Sequence, residues 1–313
     1  MRPDQFNYLT DSAVRALMIG ALESGDNGWV NNLAMRMDSA DKTEDIGWVG
    51  TPPALSEFVA GRTMSELAEY AFSITQKDHG AGIRLPKRSW VHDKTGQLQI
   101  RFSQLADRVN DKPASMLSQL IMDGESTPCF DGQYFFHTAH SSKKSGTQDN
   151  DLGASAASAT APTAAEMSIA IMAAVQQMYG FKDDEGEPTN QMAKRFGIMV
   201  PTPFMGAALE ATTSLLGTAG ITNLLPSLQS KGVMQFEVIV NPRLTWTTKF
   251  ATFRLDGTGK PFVLMTDEMM NDVFALGPQS EYCREHGHCL VGVDYSGNVQ
   301  YGLWDQAVLT TFS

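Results

Sequence analysis

The side chains able to ligate a metal or act as nucleophiles fall into a few groups along the chain. Cys283, His286, His288 and Cys289 form the only dense cluster. A tetrahedral zinc site takes its ligands from well-separated pairs. The spacing Cys-x2-His-x-His-Cys fits no such pattern and would strain the tetrahedron. An ordinary strand-entry loop is the plainer reading. Cys129 with His137 and His140 is a second metal-capable set, set against packing, since buried cysteine and turn histidine are common. No metal site is assigned to either.

Gly257-Thr258-Gly259-Lys260 has the glycines and the lysine of a phosphate loop. Pro261 stands where Ser or Thr should follow, and no helix pattern opens behind it to aim amides at phosphate, so a glycine-rich hairpin turn fits better. Ser56, Ser73 and Ser141 lack the Gly-x-Ser-x-Gly elbow that exposes a nucleophile. Asp183-Asp184-Glu185 and the pair Glu281 and Glu285 read as solvated loop faces. Phe130, Tyr134, Phe135 and Phe136 could form a ligand platform, but aromatics dominate cores and interfaces between chains, and packing is preferred. No catalytic and no cofactor-binding residue is assigned. A triad dispersed along the chain would leave no local signature, so a soluble acidic hydrolase stays open as an alternative.

The elements that would have to position these groups are legible in part. With 313 residues the chain can bury a large core, and roughly two domains are expected. Hydrophobic residues at 42% and charged ones at 19% exclude wholesale disorder. The net charge of -11 sets the average surface against DNA, and no basic stripe interrupts it, so sequence-specific nucleic-acid binding is not expected. Three cysteines leave an odd thiol, which favours a reducing compartment. The opening residues lack a signal-peptide core. The most apolar run, Phe196 to Leu209, is cut by Pro201 and Pro203 and is too short to span a bilayer. A soluble, cytoplasmically made protein with no membrane partner is expected.

Thr10 and Asp11 can cap a first helix carrying Val14, Leu17, Met18, Ala21 and Leu22, with Gly25 as its stop. Residues 46–71 hold three glycines and Pro52-Pro53 among Trp48, Leu55, Phe58 and Val59. Such a stretch is too broken for a core helix and too apolar for an idle linker, so it reads as an extended loop that buries its side chains elsewhere. Tyr70–Thr75 and Ala81–Leu85 read as a β-hairpin around Asp78-His79-Gly80. Apolar residues from Leu98 to Ile121 step by threes and fours, which predicts a helix of about 40 Å bent at Pro113. The Ser- and Ala-rich segment 141–162 reads as a mobile excursion. Helices are expected over Ala164–Tyr179 and Met205–Ser214, and strands over Phe196–Val200 and Gln235–Val240. A hairpin is expected around Leu255–Lys260, and a closing hairpin around Tyr295-Ser296-Gly297-Asn298.

Five motifs carry a family resemblance. Trp48-Val49-Gly50, Ala54-Leu55-Ser56-Glu57-Phe58 and Arg62-Thr63 stand in the order found in Mu-like tailed-phage major head subunits, with Phe58 in place of a usual Trp. Phe130-Asp131-Gly132-Gln133-Tyr134-Phe135-Phe136 after the long helix, and Tyr301-Gly302-Leu303-Trp304 near the end, are similar to two further family elements. The resemblance implies an α+β fold of the Hong Kong 97 capsid type. Its parts would be an N-terminal arm (1–45), an extended loop (46–71), a peripheral domain (72–195 and 283–313) and an axial domain (196–282). It also implies a shell-forming major capsid protein rather than an enzyme. Expected partners are itself in hexamers and pentamers, a separate scaffolding protein, a portal, a cement protein, and packaged DNA held without sequence specificity. A minor head or tail component is the other phage reading. Trp48, Leu55, Phe58 and Val59 are the expected apolar anchors on a neighbouring subunit, with Arg62 as a charged contact. No lysine lies between Ile46 and Thr75, so no lysine–asparagine weld is expected from this loop.

Overall fold

The computed structural model describes residues 10–24, 28–49, 69–92, 96–214, 224–267 and 272–313. In chain order the elements are α1 (Asp11–Ser24), α2 (Gly28–Leu33), β1 (Ala34–Asp38), β2 (Thr43–Val49), β3 (Glu69–Thr75) and β4 (Lys77–Pro86). Then come α3 (Lys87–Val91), α4 (Gln97–Asn110), α5 (Lys112–Met122), β5 (Asp151–Ala154), α6 (Ala164–Gly180) and β6 (Arg195–Val200). The rest are α7 (Met205–Thr213), α8 (Leu224–Ser230), β7 (Gln235–Val240), β8 (Lys249–Arg254), β9 (Phe262–Thr266), β10 (Val273–Leu276), α9 (Glu281–His286), β11 (His288–Tyr301) and β12 (Ala307–Phe312).

Helix α1 begins where its cap was expected: the Ala13 N–H donates to Thr10 Oγ1 at 3.3 Å. Val14 and Met18, one turn apart and fully buried, face α4 and β10. The predicted long helix is a rod of two pieces, α4 and α5, about 39 Å over residues 97–122 at 1.5 Å per residue. The break falls at Asp111, ahead of Pro113. The proline ring excludes the carbonyl of Val109 four residues back, while its missing N–H costs nothing in the first turn of α5. Helix α6 opens on a capping box between Thr163 and Glu166 and buries Met167, Ile171, Ala174 and Met178 along one face. Among the described residues no helix is long and apolar enough to cross a membrane.

The strands form two five-stranded sheets and a separate β2–β3 ribbon. In the first sheet β11 is one continuous strand: β4 pairs with it antiparallel over 288–297, β10 over 290–293 and β9 over 297–301. The closing hairpin expected around Tyr295–Asn298 does not form. Gly297 serves a close approach instead of a turn, since a Cβ there would stand 2.7 Å from Tyr295 Oη and 2.8 Å from Met265 O. Asp78-His79-Gly80 likewise lies inside β4, opposite Ser296, Tyr295 and Asp294. The expected 70–85 hairpin is therefore replaced by β3 pairing with β2 and β4 pairing with β11.

The second sheet runs β5-β12-β8-β6-β7, with β5/β12 and β6/β7 parallel. The expected hairpin at Leu255–Lys260 is also absent: β8 belongs to this sheet and β9 to the other, so the turn carries the chain between sheets. One apolar core runs through both, joining Phe262, Leu264 and Tyr301 to Phe196, Ile198, Phe250 and Phe253. A second cluster gathers Val14, Met18, Trp90, Phe102 and Val291. Segment 141–162 is not a loose excursion. Within it β5 pairs with β12, and Ser145, Gln148 and Asn150 are buried.

Candidate assembly interface

The groups that could do chemistry are engaged in holding the fold. Cys283 and Cys289 form a disulfide, which runs against the reducing compartment expected from the odd cysteine count. The strand-entry loop expected here is a short helix: Ser280 caps α9 by accepting from the Cys283 N–H. Gly287 then reverses the chain at φ 67°, bringing the two Cα atoms to 4.8 Å. Both sulfurs lie in the cluster under α1 and α4. The adjoining histidines bond locally, His286 Nδ1 to Tyr282 O at 3.1 Å and His288 Nδ1 to His286 O at 2.9 Å.

Cys129, His137 and His140 turn to different partners. The buried Cys129 thiol donates to Gly302 O at 3.6 Å, and burial pushes its pKa far up, so it is no ready thiolate. His137 Nδ1 accepts from the Ala139 N–H. His140, fully buried, holds Asp131 Oδ2 at 2.6 Å and stacks on Trp304 with ring centroids 4.1 Å apart. The turn before it is set by Gly132 at φ 82° and by the Gln133 N–H donating to Asp131 Oδ1. Phe135 and Phe136 are thereby directed into the core, which is the packing role preferred from sequence. Among the described residues no three His, Cys, Asp or Glu are arranged to hold a metal.

Asp305 is a carboxyl whose protonation is coupled to folding. Its Oδ1 is closed to solvent and unpartnered although the residue keeps some surface, and burial raises its pKa to about 6. Unfolding releases it to the ordinary value of 3.8, so the unfolded chain sheds this proton first as pH rises. Stability from this group is therefore whole below about pH 4 and lost progressively up to about pH 6, by about 3 kcal/mol. Asp305→Asn removes that loss. The stability difference between variant and wild type should move in favour of the variant between pH 4 and 7 in urea unfolding, and a pH-independent difference would refute the assignment.

The β2–β3 ribbon is a two-stranded sheet of its own. Its root is fixed to the first sheet: Ile74 is buried on Val263 and Met265, Asn298 Nδ2 donates to Thr75 O at 2.7 Å, and Gln76 Nε2 donates to Ser39 O. From Thr43↔Thr75 the register runs to Val49↔Glu69, about 20 Å at a strand's rise. Leu55, Phe58, Val59 and Arg62 lie outside the described residues; Trp48 has its backbone in β2, opposite Tyr70, and its side chain outside them. The structure adds surface apolar groups that the sequence reading did not single out: Met205 and Leu209 on α7, Leu224 on α8, and Ile169 on α6, which is 71% exposed. The 205/209 spacing, one turn apart on α7, was the signal available.

Comparison with known proteins gives one consistent answer. The family described as Mu-like prophage major head subunit gpT matches residues 12–166. The major capsid protein of Escherichia phage Mu is 27% identical over 139 residues, covering 42% of this chain and 45% of that protein. The Mu-like prophage FluMu major head subunit of Haemophilus influenzae is 25% identical over 138 residues, with the same coverage. Each alignment thus spans less than half of the curated relative. Among solved structures, the procapsid of bacteriophage JBD30 matches 96% of this chain and 73% of its own at TM-score 0.55 and 14% identity. A virus-like particle from Pyrococcus furiosus matches 96% and 98% at TM-score 0.53 and 10% identity. The capsid of a native GTA particle matches 91% and 89% at TM-score 0.56 and 13% identity.

Proposed function

We propose that the chain, matched over residues 12–166 by the Mu-like major head subunit family and having the α+β capsid fold of the Hong Kong 97 type, belongs to that family and is the shell-building subunit of a tailed-phage head. The observation that carries the reading is the fold likeness to a phage procapsid along 96% of the chain, joined to the family match over its first half. The role is structural, with no reaction assigned. Residues 46–71 act as the extended loop, and the two five-stranded sheets form the two bodies of the subunit.

Head-to-tail contacts between identical subunits close into rings of five or six when the rotation per subunit suits, and the two rings together close a shell. Arms and loops that overlap several neighbours multiply weak contacts, so loss of a single subunit becomes rare. A separate scaffolding protein, a portal and a cement protein would join during assembly in the host cytoplasm. The net charge of -11 suits a wall that packaged DNA slides past without sequence-specific contact. Electron microscopy of the purified chain should reveal rings or closed particles; a compact monomer at every concentration would overturn the reading. Phe58→Ala should weaken each loop contact by about 1–3 kcal/mol and lower particle yield. Undiminished assembly of that variant would remove Phe58 from the interface.

A further inference from the structure

Lys77, His79, Arg108 and Lys112 converge from three elements on two adjoining grooves between the α4–α5 rod and the first sheet. One, of about 510 Å³, is bordered by Lys77 and His79 of β4, Lys112 and Gln119 of α5, and Asn298 of β11. The other, of about 370 Å³, shares His79 and Lys112 and adds Arg108 of α4 and Tyr295 of β11. Their origin is visible in strand alternation. Ile83 and Leu85 pack into the cluster under α1, whereas Ala81, His79 and Lys77, at the same two-residue spacing, line the grooves where the rod breaks at Asp111.

In a chain of net charge -11, these cations are left without a carboxylate partner. None of Lys77, Arg108 and Lys112 is in an ion pair among those found between described residues. Asp78 and Asp123 also line the grooves and are bonded to neutral groups, Asp78 to the Ser296 hydroxyl at 2.8 Å and Asp123 to the Gln119 amide at 3.0 Å. At the His79 ring the lysines outweigh Asp78. Burial first, then Lys112 and Lys77, hold its pKa below the ordinary value. Two donors are also unused: His79 Nε2 and the Tyr295 hydroxyl are closed to solvent with no partner, and Tyr295 is 8% exposed. A buried hydroxyl without a partner is uncommon enough to need a reason.

We propose that the paired grooves are an oxyanion site that takes a phosphate group, free or as the diester of a nucleic-acid strand. Lys77, Lys112 and Arg108 meet its oxygens as point charges and a fork, with the Tyr295 hydroxyl and His79 Nε2 at the floor. A lone carboxylate offers one charge to three cations, whereas a phosphate monoester offers nearly two and three strong acceptors. The grooves also fall in the size range of small-ligand sites.

The test is phosphorus NMR of inorganic phosphate with the purified full-length chain, alongside fluorescence anisotropy of a short labelled oligonucleotide, both at matched chloride concentration. Wild type should broaden the phosphate resonance. K77Q/K112Q should weaken binding about tenfold or more, and Y295F, which keeps the ring, should weaken it less. Phosphate should displace the oligonucleotide. An oligonucleotide bound far tighter than phosphate identifies the diester as the source, and equal affinity identifies the free anion. Broadening that survives in K77Q/K112Q, with that variant folded by circular dichroism, overturns the site. Displacement by polyglutamate but not by phosphate overturns it in favour of an acidic protein segment. Shell assembly is read separately by microscopy, so failure of either reading leaves the other standing.

Discussion

Asn150→Ala is expected to cost about 4–5 kcal/mol of folding stability. Asn150 is fully buried. Its Nδ2 donates to Phe135 O at 2.8 Å and to Trp304 O and Ala307 O at 3.3 Å, while Oδ1 accepts from the His137 N–H at 2.8 Å. Its backbone carbonyl accepts from the Leu309 N–H at 2.8 Å. One side chain thus ties the turn that directs Phe135 inward to the chain segment between β11 and β12. Alanine leaves an N–H and three carbonyls short of a partner in the interior, and each orphaned group costs about 1–3 kcal/mol. The carbonyls keep other lone pairs, so the sum is held toward the low end. Asn150→Asp should be no milder, because it trades the donor for a charge beside three carbonyl oxygens. Urea unfolding would measure both, with the part-exposed Asn298→Ala as reference. A loss under about 1 kcal/mol for Asn150→Ala would show that the interior rehydrates there and that the hub is not what orders segment 141–162.

That segment also shows where sequence reasoning stops. Helices were legible because their signal is local: α1, α6 and α7 follow from caps and from apolar residues at helical spacing, and the 97–122 rod from the same pattern with one proline. Individual strands were legible too, β6 and β7 nearly to the residue. Their partners were not, because pairing is decided by chain segments far apart. Three expected hairpins resolve into strands that belong to β2, to β11 and to two different sheets. In each case a glycine or polar residue that looked like a turn former serves a close approach or a long strand. The order in 141–162 was hidden for a related reason. It rests on a buried amide and a parallel pairing with β12, neither of which leaves an apolar pattern. Of the proposed site, the extended loop and its expected anchors rest on residue type and family motif alone. The exposed Met205 and Leu209 were readable in principle from their spacing, while the basic grooves needed β4, β11 and the rod to be brought together.

Gly302→Val is expected to cost at least about 3–4 kcal/mol and to depress particle yield with it. Gly302 stands in the Tyr301-Gly302-Leu303-Trp304 motif, and its role is close packing of backbone on backbone. A Cβ there would lie 2.6 Å from Lys260 O, 3.2 Å from Pro261 C and 3.3 Å from Phe262 N. Backbone atoms cannot swing aside as a side-chain tip can, least of all these. The Gly302 N–H donates to Pro261 O at 2.8 Å and the Leu303 N–H to Lys260 O at 3.1 Å, so the two segments are stitched at the clash itself. On either side sit Tyr301, stacked on Phe135 with its hydroxyl on Leu120 O, and Trp304, stacked on His140. Any shift that relieves valine therefore disturbs the aromatic packing shared by both sheets, and with it the path from β11 into β12. Gly153→Ala is the matched control, since nothing lies within 4 Å of a Cβ built there, and it should be near neutral or slightly stabilising. Thermal and urea unfolding of the two variants separate close approach from a general intolerance of glycine replacement. Equal effects at 302 and 153 would mean that the corner can open, and that the motif is kept together by something other than the contact between residues 260–262 and 302.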